Sequence, residues 1–153
     1  MDVYRISKTK WAGDLSGEGA RLYGGRWNRK GTSCVYTSSS RSLAILEFSV
    51  NVSLDDIPRS LSIVTLNLPD KILEVDMHEL PGNWKDVPAP GSTRDFGTKL
   101  LQEGKHLIIR VPSAVIPQEF NYIINPAHKD LKLCKILSVD DFVYDIRIKR
   151  EKQ

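Results

Sequence analysis

The chain has 153 residues, of which 41% are hydrophobic and 27% charged, a balance typical of one globular domain with a buried core. Its net charge of +3 is small, and part of the excess lies in a basic tail at residues 147–153, so direct nucleic-acid binding is not expected. The N-terminus lacks an apolar run of signal-peptide length and no segment approaches a membrane span, so we expect a cytoplasmic protein without membrane contact.

The first part of the chain predicts short strands separated by glycine-bearing loops. Residues 3–6 alternate like a strand, and residues 7–20 form a polar loop that contains three glycines. Residues 25–27 and 34–37 are predicted to be two short strands on either side of a turn at 28–31. A tight turn next to paired glycines indicates a backbone that bends sharply or approaches a ligand.

A helix is predicted next, with Ser39 or Ser40 as its N-cap. The spacing of three to four residues predicts a core face made of Leu43, Ala44, Leu46 and Val50. Glu47 falls within this apolar stripe. Because a buried carboxylate costs free energy unless it is paired, Glu47 either belongs to a site or reaches the edge of the helix and a lysine.

Two strands, a loop and a second helix are predicted after it. Residues 59–68 and 72–75 have the pattern of strands. The Pro/Gly-rich loop at 80–91 either forms the wall of a site or only connects elements. Ser92 is predicted to cap a helix that ends near residue 104, with Asp95 as its capping-box partner.

The last third of the chain predicts the remaining strands. Residues 107–111 are almost entirely apolar, which predicts a central strand, and residues 120–124 form the next one. Residues 131–139 and 142–148 are predicted to be late strands or a mixture of strand and helix. The chain as a whole predicts an α+β domain with many short strands and two helices.

Three side chains on different predicted elements form a candidate site: Arg26, Tyr36 and Glu47. A guanidinium fork suits phosphate, an aromatic face suits a flat ring, and a carboxylate suits a developing positive charge. Two structural alternatives remain from the residues alone. Arg26 can form a salt bridge with Glu47, and Tyr36 can simply pack within a strand.

Other common chemistries lack their motifs. Cys34 and Cys134 are too far apart for a CxxC site, and three histidines without ligand spacing predict no metal. There is no glycine fingerprint of a Rossmann fold, no P-loop and no G-x-S-x-G elbow. What survives is the set of Arg26, Tyr36 and Glu47.

Four segments carry a resemblance to a known family: GARLYGGRWNRKG at 19–31, VYTSSSRSLAILE at 35–47, VPSAVIP at 111–117 and NYIINPAH at 121–128. Through them the chain resembles the RES-domain toxins of bacterial RES–Xre toxin–antitoxin pairs. The segments follow one another in order and span most of the chain. The arginine, glutamate and serine of the family name correspond to Arg26, Glu47 and Ser113.

The resemblance implies a single RES domain over residues 1–153, with an ADP-ribosyltransferase-like fold: a split, mostly antiparallel β core with flanking helices. It implies an enzyme that consumes NAD by cleaving the nicotinamide–ribose bond, with phosphate or water as acceptor, and thereby arrests growth. NAD is then a substrate, and no cofactor is expected. Two alternatives remain, a mono-ADP-ribosyltransferase that modifies a cellular protein and a non-catalytic module that binds an antitoxin. The expected partner is an Xre-type helix-turn-helix antitoxin, and fold analogy suggests a homodimer.

The resemblance also implies roles for the site residues. Glu47 would face the oxocarbenium-like ribose carbon, and Arg26 would bind phosphate or orient the nicotinamide ribose. Tyr36 would stack on nicotinamide and hold it through its hydroxyl. Ser113 would hydrogen-bond the substrate or fix Arg26, although a serine after a strand is also ordinary turn chemistry. Asn121 is expected to bind the substrate.

Two further residues are candidates for the lining of the same cleft, Arg5 and Asn125. For Asn121 and Asn125, the nearby Pro126 leaves open a second interpretation, in which the asparagines only form the turn.

Overall fold

One seven-stranded sheet organises the chain in a computed structural model that describes residues 1–150. The strands are β1 (Asp2–Lys8), β2 (Val35–Ser38), β3 (Leu61–Asn67), β4 (Ile72–Glu74), β5 (Ile108–Pro112), β6 (Phe120–Ile124) and β7 (Lys135–Phe142). The α-helices are α1 (Glu18–Tyr23), α2 (Arg41–Asn51) and α3 (Gly91–Glu103). None of the helices in this range is long and apolar enough to cross a membrane.

The sheet has the order β4-β5-β6-β2-β1-β3-β7, and only the β4–β5 pair is parallel. The two halves meet between β2 and β1, which pair at a single position, Tyr4 with Ser38. Beyond that position the strands diverge, and the sheet opens. The predicted α+β fold with a split, mostly antiparallel core is confirmed.

Apolar side chains cover both faces of the β5–β6 half of the sheet. Ile108 and Ile124 belong to one core cluster, whereas Ile109 and Ile123 belong to the other. Successive residues of a strand point to opposite faces, so this division is the expected one. β5 is paired on both sides, as its apolar sequence predicts.

The structure corrects two predictions near the N-terminus. Residues 25–27 are not a strand, because they form a tight turn with one isolated bridge between Gly25 and Asn28. Residues 7–20 are not one loop, because β1 continues to Lys8 and the short helix α1 begins at Glu18. Residues 1–150 therefore contain three α-helices, one more than predicted.

The ends and faces of α2 follow the prediction in part. Ser40 is the N-cap, and its Oγ accepts a hydrogen bond of 3.1 Å from the Leu43 backbone N–H. Leu43 and Ala44 are buried as expected, but Val50 is 60% exposed and does not belong to the core. It lies in the last turn of the helix, where the inward-facing position is taken by Ser49.

The start of α3 differs from the prediction. Its N-cap is Pro90, so Ser92 lies inside the first turn and donates to Asn83 instead. Asp95 forms an ion pair with Arg29 and takes no part in a capping box.

The C-terminal part is a strand, β7, followed by a short 3₁₀ turn at Ile146–Ile148. Of the two predictions for this part, late strands or a mixture of strand and helix, the structure has the mixture, since β7 ends at Phe142 and a 3₁₀ turn follows. Residues 151–153 of the predicted basic tail lie outside the described range.

Candidate active site

A cavity of about 660 Å³ opens where β1 and β2 diverge. Three arginines and a single acidic residue line it: Arg5, Arg26, Arg94 and Glu47. Its walls also include Tyr36 from β2 and residues 87–89 of the Pro/Gly-rich loop, so this loop forms a wall of the site. A second cavity, of about 690 Å³, lies at the β4 edge of the sheet and contains none of the predicted site residues.

Glu47 lies on the face of α2 that faces this cavity. Its Oε1 accepts two hydrogen bonds of 2.7 Å, one from the Ser113 hydroxyl and one from the Asn121 side-chain amide. Its Oε2 has no hydrogen-bond donor among residues 1–150. One carboxylate oxygen is therefore anchored, and the other is free to interact with a ligand.

The two donors to Glu47 are themselves held in one orientation. Ser113 is fully buried, and its Oγ accepts from the Val115 and Ile116 backbone N–H groups, so its only hydrogen points to Glu47. The Asn121 Oδ1 accepts a 2.7 Å hydrogen bond from Ser38, which leaves its N–H₂ group for Glu47. The Glu47 carboxylate is thus fixed before any ligand arrives.

Arg26 connects the glycine turn to the opposite wall. Its Nη1 donates to the backbone carbonyls of Trp84 and Asp86, each at 2.8 Å. Burial lowers the pKa of Arg26, and the nearby Glu47 carboxylate opposes that shift. Among residues 1–150 the two side chains form no direct ion pair, so the salt-bridge alternative for Arg26 is not what the structure shows.

The Tyr36 hydroxyl is engaged by the protein itself. It accepts from the Trp27 backbone N–H at 3.1 Å and donates to the Asn28 Oδ1 at 2.6 Å. Burial raises the pKa of Tyr36 well above its ordinary value, which keeps the phenol neutral. A ligand therefore meets the ring of Tyr36, whereas the hydroxyl holds the turn.

Asn28 is fully buried and fastens the turn that presents Arg26. Its side-chain amide donates to the carbonyls of Ala20 and Thr32 at 2.8 and 2.9 Å. Together with the bond from Tyr36, these contacts saturate the side chain.

Two glycines allow this turn to sit against its neighbours. A Cβ at Gly97 of α3 would lie 1.9 Å from the Trp27 carbonyl oxygen, and one at Gly25 would lie 2.7 Å from the Tyr36 hydroxyl. A larger residue at Gly97 would require the backbone to move, and one at Gly25 would displace the side chains of Tyr36 and Asn28. α3 and the arginine turn are therefore packed backbone to backbone.

The predicted residues separate into three groups. Arg26, Tyr36, Glu47, Asn121 and Arg5 line the cavity. Ser113 lies behind Glu47 and has no exposed surface. It donates a hydrogen bond to Glu47, whereas the sequence predicted that it would contact the substrate or Arg26.

Asn125 lies outside the cavity. It donates to the Leu101 carbonyl and accepts from the Ala127 backbone N–H, which is the turn-forming role that the sequence left open.

Sequence reasoning missed three site residues: Arg94, Ser38 and Asn28. Ser38 falls between the predicted strand at 34–37 and the predicted N-cap, and in the structure it is the last residue of β2, opposite Asn121. Asn28 falls in the predicted turn at 28–31, and only its complete burial in the structure indicates a role in holding the site. Arg94 carries no local signal at all.

The described residues offer no cluster of side chains that could bind a metal ion. Among residues 1–150 no group of three or more His, Cys, Asp or Glu side chains is close enough to hold an ion.

Comparison with known proteins gives one family and one fold. A family model described as RES domain matches residues 2–146. A protein of Sphingobium sp. strain YBL2 named Prs ADP-ribosylating toxin is 38% identical over 149 residues, covering 95% of this chain and 92% of its own. Toxin Res of Yersinia enterocolitica is 37% identical over 153 residues, covering 97% of this chain and 100% of its own.

Among solved structures, a chain of the Mycobacterium tuberculosis MbcT–MbcA toxin–antitoxin complex has a similar fold. The TM-score is 0.75 at 17% identity, and the match covers 93% of this chain and 84% of that one.

Proposed function

The chain belongs to the RES domain family, and from this premise we propose that it is a toxin that cleaves the nicotinamide–ribose bond of NAD. The observation that supports the proposal is the state of Glu47. Its Oε1 is fixed by Ser113 and Asn121, and its Oε2 is free in a cavity rich in arginine. A fixed carboxylate without a protein counter-ion suits a positive charge that appears only during a reaction.

The reaction matches this arrangement. When the bond between the ribose C1 and the nicotinamide nitrogen breaks, the electron pair goes to the pyridinium ring, and nicotinamide leaves as a neutral molecule. Positive charge then develops on the ribose C1, where the Glu47 carboxylate stabilises it. An acceptor with a lone pair, either phosphate or water, forms the new bond to C1.

Arg26 and Tyr36 act in binding. Nη1 of Arg26 is committed to two carbonyls of the loop wall, so its other nitrogens are the donors left for the substrate. The Tyr36 ring offers a flat apolar surface to nicotinamide. Since the Tyr36 hydroxyl already holds the turn, we assign no substrate contact to it.

A second reaction has support from one relative. The protein from Sphingobium, at 38% identity, is named an ADP-ribosylating toxin. Transfer of ADP-ribose to a protein begins with the same bond cleavage and differs only in the acceptor. The proposal for Glu47 therefore holds for both reactions. A purely antitoxin-binding module, in contrast, has no use for a carboxylate that is fixed in this way.

The proposed biological setting is a toxin–antitoxin pair in the cytoplasm. A structural neighbour is a member of a toxin–antitoxin complex, which supports an antitoxin as partner of this chain. We expect an antitoxin of the Xre helix-turn-helix type that covers the cavity, and a homodimer of the toxin remains an expectation from fold analogy.

Product analysis tests the proposal and identifies the acceptor. Purified protein, free of antitoxin, is incubated with NAD in buffers with and without phosphate, and products are separated by chromatography. Nicotinamide with ADP-ribose-1-phosphate indicates phosphorolysis, and nicotinamide with ADP-ribose indicates hydrolysis. In a parallel incubation of the protein with labelled NAD and a cell lysate, label on a protein indicates transfer of ADP-ribose. A folded protein that releases no nicotinamide under any of these conditions contradicts the proposal.

A further inference from the structure

Arg94 is an unusual arginine in this molecule. It lies in the first turn of α3, is half-buried, and lines the same cavity as Arg26 and Glu47. Among residues 1–150 its guanidinium group has no hydrogen-bond or ion-pair partner, and its Nε is shielded from solvent without an acceptor.

The other half-buried arginines of the described range all have partners. Arg5 donates to three backbone carbonyls, and Arg26 donates to two. Arg21 pairs with Glu18. Arg110 pairs with Glu74 and lies over the ring of Phe120. The Nε atoms of Arg5 and Arg110 also lack an acceptor within the described residues, but of these five arginines Arg94 alone has no hydrogen-bond or ion-pair partner there at any nitrogen.

The position of Arg94 is unfavourable in the absence of a ligand. A cation in the first turn of a helix meets the positive end of the helix dipole. It also lies close enough to Arg26 to lower the pKa of that residue, together with burial, which has the larger effect. An anion in the cavity would offset the repulsion between Arg94 and Arg26, because it attracts both guanidinium groups.

The charge of the cavity indicates the kind of anion. Three guanidinium groups and one carboxylate line it, which leaves an excess of two positive charges. A diphosphate carries two negative charges and has oxygens on two phosphorus atoms, so it can bind two separate guanidinium groups.

We propose that Arg94 is a binding residue for the diphosphate of the substrate, which it shares with Arg26, and that it makes the site selective for dinucleotides over substrates without phosphate. The inference rests on the proposed function, since it assigns the diphosphate of NAD to this wall of the same cavity. It concerns binding and leaves the chemistry at Glu47 unchanged.

Calorimetric binding of ADP-ribose tests this directly, since ADP-ribose contains the diphosphate but no bond to nicotinamide. Arg94→Met keeps an apolar stem of similar length and removes every donor. We expect it to weaken ADP-ribose binding by about tenfold to a hundredfold, the usual range for a lost charge-assisted hydrogen bond. Arg59→Met is the matched control, because Arg59 is exposed and outside the cavity, and it should leave the affinity unchanged.

Arg94→Lys is the second variant, and melting temperatures establish that all variants are folded. Lysine keeps the charge and loses the planar fork, so its affinity should fall between those of the wild type and Arg94→Met. With NAD as substrate, Arg94→Met should raise KM by a similar factor and change kcat little. Cleavage of nicotinamide riboside, which has no phosphate, should proceed at the wild-type kcat/KM.

Three results would overturn the inference: no binding of ADP-ribose to the wild type, equal affinities of Arg94→Met and Arg59→Met, or an equal loss with nicotinamide riboside. Failure of the proposed function looks different. In that case ADP-ribose binds in a manner that depends on Arg94, but NAD releases no nicotinamide.

Discussion

The two sides of the cavity differ in how completely their polar groups are paired. The carboxylate floor consists of Glu47 and the residues that orient it, Ser113, Asn121 and Ser38. Each of its side chains is held by neighbours, and a single oxygen of Glu47 remains free. The cationic wall consists of Arg26, Arg94 and the loop at 84–89. There, Arg26 uses one nitrogen for the loop, and within the described residues 1–150 Arg94 uses none of its donors.

This difference separates two tasks. A group that stabilises the transition state must be in place before the charge appears, so it has to be fixed by the protein. A group that binds the substrate in its ground state gains free energy from its contact with the ligand. It therefore needs no partner in the unbound protein. Under the proposed function, the floor therefore serves catalysis, and the wall serves binding.

Among the variants that leave Glu47 in place, removal of both of its donors should have the largest effect. In the double variant Ser113→Ala with Asn121→Ala, the carboxylate keeps its charge but loses its fixed position. Misplacement of a catalytic group by about 1 Å costs roughly a hundredfold in rate, so kcat for nicotinamide release should fall by about that factor. KM for NAD should change far less, because the wall is intact.

The control for this pair is Ser92→Ala, which removes a hydroxyl that contacts only Asn83 at the surface. Steady-state kinetics of both proteins provide the measurement. A rise in KM with an unchanged kcat would mean that Ser113 and Asn121 serve the binding of substrate and not the position of Glu47.

Gly97→Ala tests how the wall is fastened. The new Cβ would overlap the Trp27 carbonyl, at 1.9 Å, so α3 must move away from the arginine turn. Overpacking of this kind costs about 1–3 kcal/mol of the free energy of unfolding. Because α3 carries Arg94, the affinity for ADP-ribose should fall as well.

Gly19→Ala is the matched control, since Gly19 is also in an α-helix and a Cβ there meets no atom within 4 Å. It should be neutral or stabilise by up to about 1 kcal/mol. Urea denaturation measures both variants. Equal stabilities for the two would show that the close contact at Gly97 does not constrain α3.

A further effect should appear at alkaline pH, at Tyr36 in β2 and at Cys34, the residue before that strand. Burial raises the pKa of the Cys34 thiol to about 12 and the pKa of Tyr36 well above its ordinary value. An unfolded thiol titrates near pH 8.5, so the folded state binds its proton more tightly. This contribution to stability is complete below about pH 8.5 and declines as the pH rises toward 12, at up to about 1.4 kcal/mol per pH unit for one group.

Denaturation curves between pH 8 and 11 check this expectation. Cys34→Ala should make the loss of stability with pH less steep, and Cys134, whose pKa burial raises to about 11, remains to contribute. An identical pH profile for the wild type and Cys34→Ala would contradict the assignment of the loss to Cys34.

Glu47, the central residue of the floor, could be found from the sequence pattern. Glu47 stands out because it interrupts an apolar helical stripe, and Ser40 precedes that helix as an N-cap should. The partners of Glu47 could not be derived in the same way. Ser113 and Asn121 are 66 and 74 residues away, and their contact with Glu47 depends on how β5 and β6 lie beside β2.

The wall was harder to predict, for physical reasons. Arg94 resembles any solvent-facing arginine of a polar helix start, and its lack of a partner is visible only when the chain is folded. The composition around residues 25–27 predicts a strand. In the structure, however, Gly24 adopts a φ of 69° and the chain turns there. Gly97 was unremarkable in the sequence because its role depends on a backbone carbonyl 70 residues earlier in the chain.

The most direct test of the central claim is the rate of nicotinamide release from NAD by the wild type and by Glu47→Gln. Glutamine has the same shape and still accepts from Ser113 and Asn121, so only the charge is lost. The account predicts a fall in kcat of at least about a hundredfold, comparable to the loss of one transition-state-stabilising group. Glu103→Gln, on the exposed side of α3, should keep the full rate. A Glu47→Gln protein that releases nicotinamide at the wild-type rate would contradict the claim that this carboxylate drives the cleavage.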